Sequence, residues 1–298
     1  SSAGLYAKEG MDLIDLLIGS EGILGVITQI EIRLYQGRDI ISDIAFFESD
    51  EEALGFVNAL REHKEKGILS LEYFDSHSLD FIRERDSGLR PDFKTAILVE
   101  ILDNDDQKFL LYQLMEEYHV IDDWYADNKQ GIAKHKDFRH SLPEGINSYL
   151  RERQGKKLGT DLVVPLHEFP KMLQCYRKVG EMFKERFPRE GSHYVIFGHI
   201  GDGHLHFNFI THSSAELEYA KELHLELAQK AIFLGGTISG EHGVGKKMVK
   251  IKGREIPYLE LMYGREGLLE IAKIKQIFDP NSILNVGNMV PREFLAYG

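Results

Sequence analysis

SHYVIFGHIGDGHLHFNFI, residues 192–210, is the stretch on which the fold turns. Two apolar runs, SHYVIFGH and HLHFNFI, flank a Gly-Asp-Gly turn and read as two antiparallel strands of a hairpin. Successive side chains on a strand point to opposite faces, so His204, His206 and Asn208 share one face. His199 lies on the partner strand just before the turn and can face one of them. The glycines let the turn be tight, and Asp202 at its tip can bond backbone N–H groups. The cluster has two readings: imidazoles presented to a metal ion, or polar residues at a sheet end, each satisfied by a neighbour. A metal needs a further ligand, and GGTISGEHGVGKK (235–247) offers Glu241 beside His242 in a context poor for helix and strand alike. A His/His/Glu set with an open position suits Zn²⁺ and also accepts Mn²⁺ or Fe²⁺, the open position taking substrate or water.

Outward from the hairpin, strands and helices alternate. Upstream, LGTDLVVP (158–165) reads as a short strand stopped by Pro165, and LHEFPKMLQCYRKVGEMFKERF as a long helix. Downstream, Ser213 and Glu216 cap a helix that stops at Gly235-Gly236. Earlier, DIISDIAFFES, GILSLEYFD and FKTAILVEIL are strands. Ser49 and Glu52 cap a helix with Ala53, Phe56, Val57 and Leu60 on one side. DDQKFLLYQLMEEYH is a further helix, SHSLDFIRER a short one, and the polar stretch 127–157 is helical in part. In LLIGSEGILGVITQIEIRLY (16–35), Ile30, Ile32 and Leu34 alternate with polar residues as in a strand. Two β-α-β-like halves, near 38–120 and 157–235, predict an α+β fold: a ferredoxin-like (split β-α-β) antiparallel sheet with helices on one face.

About 43% of the 298 residues are apolar, enough for a large core. The net charge of −12 and the lack of a basic block exclude a nucleic-acid backbone as partner. Cys175 is the only cysteine, reads as a buried structural thiol, and fits a reducing, cytoplasmic compartment. No apolar run approaches ~18 residues. Trp124 reads as core or interface, and Lys246 and Lys247 as solvent-exposed.

Four motifs, in order, carry a resemblance. GHIGDGHLH resembles the Gly-His-x-Gly-Asp-Gly-Asn-x-His motif of FAD-linked oxidases and dehydrogenases acting on D-2-hydroxy acids. That family includes D-lactate dehydrogenases, the flavin subunit of glycolate oxidase and D-2-hydroxyglutarate dehydrogenase. SGEHGVGKK resembles its Glu-His-Gly segment, LLIGSEGILGVIT the end of its FAD-binding domain, and FDPNSILNVGN its C-terminal Asp-Pro-x-x-x-x-Asn-Pro-Gly-Lys stretch. His204 stands where the family usually has Asn, Val286 where it has Pro, and Asn288 where it has Lys.

The resemblance implies site residues one by one. His199, His206 and Glu241 match the metal ligands. His242 matches the group that takes the hydroxyl proton. Arg139 matches the arginine for the substrate carboxylate, with Lys157 as a second anion contact. Gly19, Ser20, Glu21, Gly22, Gly25 and Ile27 match the FAD-contacting loop and strand, and Asn285 a C-terminal residue near the flavin. It implies hydride transfer from Cα of a small D-2-hydroxy acid to FAD, assisted by a divalent metal. The acceptor stays open among a quinone, a cytochrome, an electron-transfer flavoprotein, an iron–sulfur protein or oxygen. A homodimer and peripheral membrane association are compatible with it. It also implies a flavin-domain remnant at 1–36, a substrate or cap domain at 37–275, and a segment at 276–298 returning toward the flavin domain. A chain so truncated is expected not to hold FAD tightly by itself. The alternatives are a stand-alone metal-dependent hydrolase with His242 as base, which has no use for Gly-Ser-Glu-Gly, and a non-catalytic assembly module, which would bind no metal.

Overall fold

The computed structural model describes residues 2–34, 37–63, 67–84 and 88–295. In chain order the helices and strands are α1 (Leu13–Leu17), β1 (Ile40–Phe47), α2 (Asp50–Glu62), β2 (Ile68–Phe74), α3 (Ser76–Arg83), β3 (Thr95–Leu102), α4 (Asp105–Glu117), β4 (Asp122–Ala126) and α5 (Lys129–Glu152). They continue with β5 (Lys156–Gly159), α6 (Phe169–Arg186), β6 (Tyr194–Gly198), β7 (His206–Thr211), α7 (Ser214–Phe233), β8 (Met248–Ile251), β9 (Arg254–Pro257), α8 (Glu260–Phe278) and α9 (Arg292–Leu295). The last residue of the short helix expected at 76–85 and the boundary expected at 36/37 involve positions outside the described residues.

The chain separates into two compact units. One comprises Tyr35–Gly159 and Leu173–Glu222; the other comprises Ser1–Leu34, Thr160–Met172 and Leu223–Gly298. This division groups residues 223–275 with both chain ends, whereas the motifs suggested one block from 37 to 275.

The first unit is built on a sheet of seven strands among the described residues, in the order β4-β1-β3-β2-β6-β7-β5, with every neighbour antiparallel. Strands β1 to β4 stand in the order 4-1-3-2, the split β-α-β arrangement expected from the sequence. β5, β6 and β7 continue the same sheet from β2. The α+β, antiparallel expectation holds, but the helices occupy both faces rather than one. Ile44 and Phe46 of β1 join one core cluster with α3 (Leu79, Phe81, Ile82) and α5 (Phe138, Leu142, Ile146). Phe47, one residue on, faces the other way and packs against Phe56 of α2. On that second face Tyr176 and Phe183 of α6 pack against Phe207 and Phe209 of β7. The reason is visible in burial: seven of the eight residues of β1 and all six of β7 are buried, so neither sheet face could be left to water.

The polar stretch near 127–157 folds as one 24-residue helix, α5, with Pro143 inside it. Its buried stripe of His135, Phe138, Leu142, Ile146, Tyr149 and Leu150 compensates for poor local propensity.

The strand expected from the alternation of Ile30, Ile32 and Leu34 is absent: residues 25–34 have no regular structure, and these three side chains are 70–80% exposed. The alternation is present, but a strand also needs a hydrogen-bonded neighbour, and none of the described residues supplies one. Cys175, expected buried, is only partly so. No helix among the described residues is long and apolar enough to cross a membrane.

Candidate functional site

In the sheet unit, the histidine hairpin forms as its sequence predicts. β6 ends at Gly198, whose φ is +131° and where an added Cβ would lie 3.0 Å from the His206 ring. Only glycine lets the two strands approach this closely. The chain then makes a 3-10 turn, Ile200–Asp202, closed by Gly203 in the left-handed conformation. His204 N–H donates back to the His199 carbonyl at 3.1 Å. Arg61 of α2 fastens the turn by donating to the Ile200 carbonyl. Burial lowers the Arg61 pKa, and the nearby charge of Asp202 opposes that.

The three rings gather closely. His204 and His206 have centroids 4.7 Å apart, and His199 lies 5.7 Å from each. His204 and His206 are buried. In β2, Tyr73 points toward α2, where its hydroxyl donates to Asp50 at 2.8 Å. Glu72 and Phe74 therefore face α5. Phe74 packs edge-on against Phe138 at 5.3 Å, which places the next residue, Arg139, over Glu72. One buried oxygen, Glu72 Oε1, accepts from His199 Nδ1 at 2.8 Å and from an Arg139 guanidinium nitrogen at 3.1 Å. Glu72 was not among the residues singled out from the sequence. Its signal there was a lone carboxylate in the apolar run LSLEYF.

Lys157 is not brought to this cluster. It stands exposed on the edge strand β5, opposite Ile210, roughly 13 Å along β7 from His206. A cavity of about 550 Å³ lies between β4 and α5, lined by Trp124, Lys134, His135 and Phe138, and none of the expected site residues lines it. Trp124 packs against Phe46 and Phe138, at the edge of the core.

In the other unit, the loop carrying Glu241 and His242 is held by its backbone. Gly240 N–H donates to the Asp161 carbonyl at 2.9 Å. The amides of Glu241 and His242 donate to Asp161 Oδ2 at 3.2 and 2.8 Å, and Ser239 Oγ joins them at 2.6 Å. Gly243 N–H donates to Ser2 Oγ at 3.0 Å. Val244 and Gly245 donate to the two carboxylate oxygens of Glu21 at 2.7 and 2.9 Å. Six consecutive amides are thus satisfied by three distant segments. Gly243 has φ +79°, and a Cβ there would lie 2.7 Å from the Glu21 carboxylate. The Glu241 and His242 side chains are 48% and 61% exposed, and His242 Nε2 is 3.5 Å from Glu241 Oε1.

The glycine-rich segment supports this loop. Glu21 has φ +49° between Gly19 and Gly22, at +77° and +71°. Its backbone carbonyl accepts from Asn285 Nδ2 at 2.6 Å and its carboxylate from Asn288 Nδ2 at 2.7 Å. Asn288, the departure from the family's lysine, thus has a defined partner. Ser20 is buried, while Gly25 has open space beside it and Ile27 is exposed. A positive-φ turn followed by an open glycine suits a loop laid along a flat cofactor. Lys275 is fully buried and donates to the Ile23 and Leu284 carbonyls and to Asp279 Oδ2. That last bond draws the Asp279 pKa down to about 2. Lys247, expected in solvent, packs its Nζ 2.9 Å from His224 Nε2 and over the Tyr258 ring. Burial lowers its pKa to about 8, against the pull of Asp161.

Residues 39–289 match the family model described as FAD linked oxidases, C-terminal domain. The chain belongs to this family. It is 29% identical to the glycolate oxidase subunit GlcD of Bacillus subtilis (strain 168), covering 98% of this chain and 60% of that protein. It is 30% identical to a D-lactate dehydrogenase of Archaeoglobus fulgidus, covering 95% and 59%. A probable mitochondrial D-2-hydroxyglutarate dehydrogenase of Oryza sativa subsp. japonica matches at 28%, covering 96% and 50%. The chain therefore spans about half to three-fifths of these relatives. Among solved structures, a 4-ethylphenol oxidase from Gulosibacter chungangensis matches with a TM-score of 0.60 at 11% identity, over 97% of this chain and 61% of that one. An alkyldihydroxyacetonephosphate synthase matches at 0.53 and 14%, over 94% and 50%. At such identities these two likenesses concern the fold alone.

Proposed function

We propose that this chain supplies the substrate-side chemistry of a flavin-linked dehydrogenase or oxidase of a small D-2-hydroxy acid. The observation that carries the reading is the set of three imidazoles within 5.7 Å of one another, joined to Arg139 through Glu72, in a chain of the FAD linked oxidase family. Clustered imidazoles fit a borderline divalent ion such as Zn²⁺, Mn²⁺ or Fe²⁺. His199, His206 and Glu241 are the proposed ligands, an assignment that rests on the motifs. Gly19, Ser20, Glu21, Gly22, Gly25, Ile27 and Asn285 are the proposed FAD-contacting set. When bound, the ion supplies Lewis acidity toward the substrate hydroxyl and FAD supplies the hydride acceptor. Arg139 keeps further N–H donors for the substrate carboxylate, a planar partner it can clamp in a fixed orientation. The exposed His242 is the proposed acceptor of the hydroxyl proton. Lys157 is proposed only as an outlying anion contact.

The glycolate, D-lactate and D-2-hydroxyglutarate names of the relatives set the substrates to try. The test is dye reduction by protein loaded with FAD and a divalent metal, with each of these acids in turn. Turnover that falls at least 100-fold in Arg139→Met and in His242→Asn supports the reading. Protein whose flavin spectrum shows bound FAD, yet which reduces no dye with any of the three, overturns it.

A further inference from the structure

We infer that Glu72 is a positioning residue shared by His199 and Arg139, an inference that rests on the proposed function for the roles of those two. Three observations carry it. Glu72 is 4% exposed, on a strand in the middle of the sheet, so it has little freedom of its own. Its Oε1 takes both contacts, His199 Nδ1 at 2.8 Å and Arg139 at 3.1 Å. Its neighbour Leu71 packs directly on Gly201, where an added Cβ would come within 3.3 Å, so β2 is seated against the turn that follows His199.

The chemistry follows from the donor inventory. A carboxylate only accepts, so the His199 Nδ1 carries the proton and the lone pair of the neutral ring lies on Nε2. That is the tautomer needed by an imidazole that ligates a metal through Nε2, held by the kind of partner that fixes it. The same oxygen answers a second difficulty. A guanidinium beside a site for a divalent cation would repel it, and a buried negative charge shared between the two lowers that repulsion. Glu72 thus sets the ring's tautomer and lets Arg139 stand close to the cation.

The test uses the whole chain with Zn²⁺ as probe. Calorimetric titration of Glu72→Gln, which keeps the shape and removes the charge, is expected to show Zn²⁺ affinity weakened 10- to 100-fold. ¹⁵N-resolved spectra of the imidazoles are expected to show His199 held as the Nδ1–H tautomer in the wild type and as a tautomer mixture in the variant. Glu72→Asp keeps the charge but not the reach, and is expected to lose affinity while its melting temperature stays near wild type. Unchanged affinity and unchanged His199 tautomer in both variants would overturn the inference. A wild type that binds no Zn²⁺ but keeps the Nδ1–H tautomer, lost in Glu72→Gln, would sink the proposed metal site and leave the positioning role standing.

Discussion

The His199 ring of the hairpin and the Glu241–His242 loop are held by opposite means. At the ring, a side chain holds a side chain: Glu72 grips His199, and Arg139 with it. In the loop, side chains hold the backbone: Asp161, Ser2 and Glu21 take the amides of residues 241 to 245. The clamp takes only the backbone of Glu241 and His242, so their side chains can be reactive without being structural. A side-chain clamp is not, because the ring that would bind a ligand is also the ring that is tied. The two regions should therefore respond differently to substitution.

The largest effect is expected at Asp161. Asp161→Ala leaves a hydroxyl and two amides without their acceptor, and hydrogen bonds to a charged group are worth roughly 1.5–3 kcal/mol each before non-additivity. A loss of about 3–4 kcal/mol in urea unfolding is expected. His242→Asn, on the same loop but exposed, should stay within about 0.5 kcal/mol. Equal losses in the two variants would mean that the loop is held by its side chains after all.

A further carboxylate sharpens the contrast because neither means serves it. Asp43 in β1 is fully buried, and no side chain among the described residues donates to its carboxylate. Burial first, then repulsion from Asp123, pushes its pKa up to about 8, with only partial relief from the Ile44 amide. The sign is set by proton binding. Between about pH 4 and pH 8 the unfolded chain releases this proton and the folded chain keeps it, so stability falls as pH rises through that window. Asp43→Asn should remove the slope and raise stability at pH 8 by about 2–3 kcal/mol, half of what the full shift converts to, since relaxation softens buried charges. Urea midpoints at pH 5 and pH 8 check it: parallel behaviour of the two proteins would show that Asp43 is already solvated.

These contrasts mark what could be read from the chain and what could not. The hairpin was legible because period-two alternation and a Gly-Asp-Gly turn are local facts. Helix α2 was legible from its cap, Ser49 and Glu52, for the same reason. The alternation of Ile30, Ile32 and Leu34 misled because alternation specifies faces and says nothing of a neighbour. Helix α5 was only half visible, since Gly131, Pro143 and Gly145 argue locally against it and its stripe on the core argues for it. The clamps were invisible. Glu72 and His199 are 127 residues apart, Asp161 and Glu241 80, and Glu21 and Val244 223, and no periodicity spans such distances.

The smallest effect is expected at His204, and it bears on whether the hairpin holds two ligands or three. Alternation puts the ring on the face of His206, and the 4.7 Å between their centroids would allow both to reach one ion. The family motif has Asn at this position. An amide there cannot replace a strong imidazole ligand, yet it can fill the same buried corner and bond its neighbours. If His204 stands in for that amide, His204→Asn should change Zn²⁺ affinity by less than about 3-fold and stability by less than about 1 kcal/mol. Loss of a true ligand would instead lower affinity by well over the 10- to 100-fold expected of a supporting residue. A large loss in His204→Asn with His206→Asn near wild type would exchange the two roles, and Glu72 would then be tying down the partner of a different histidine pair.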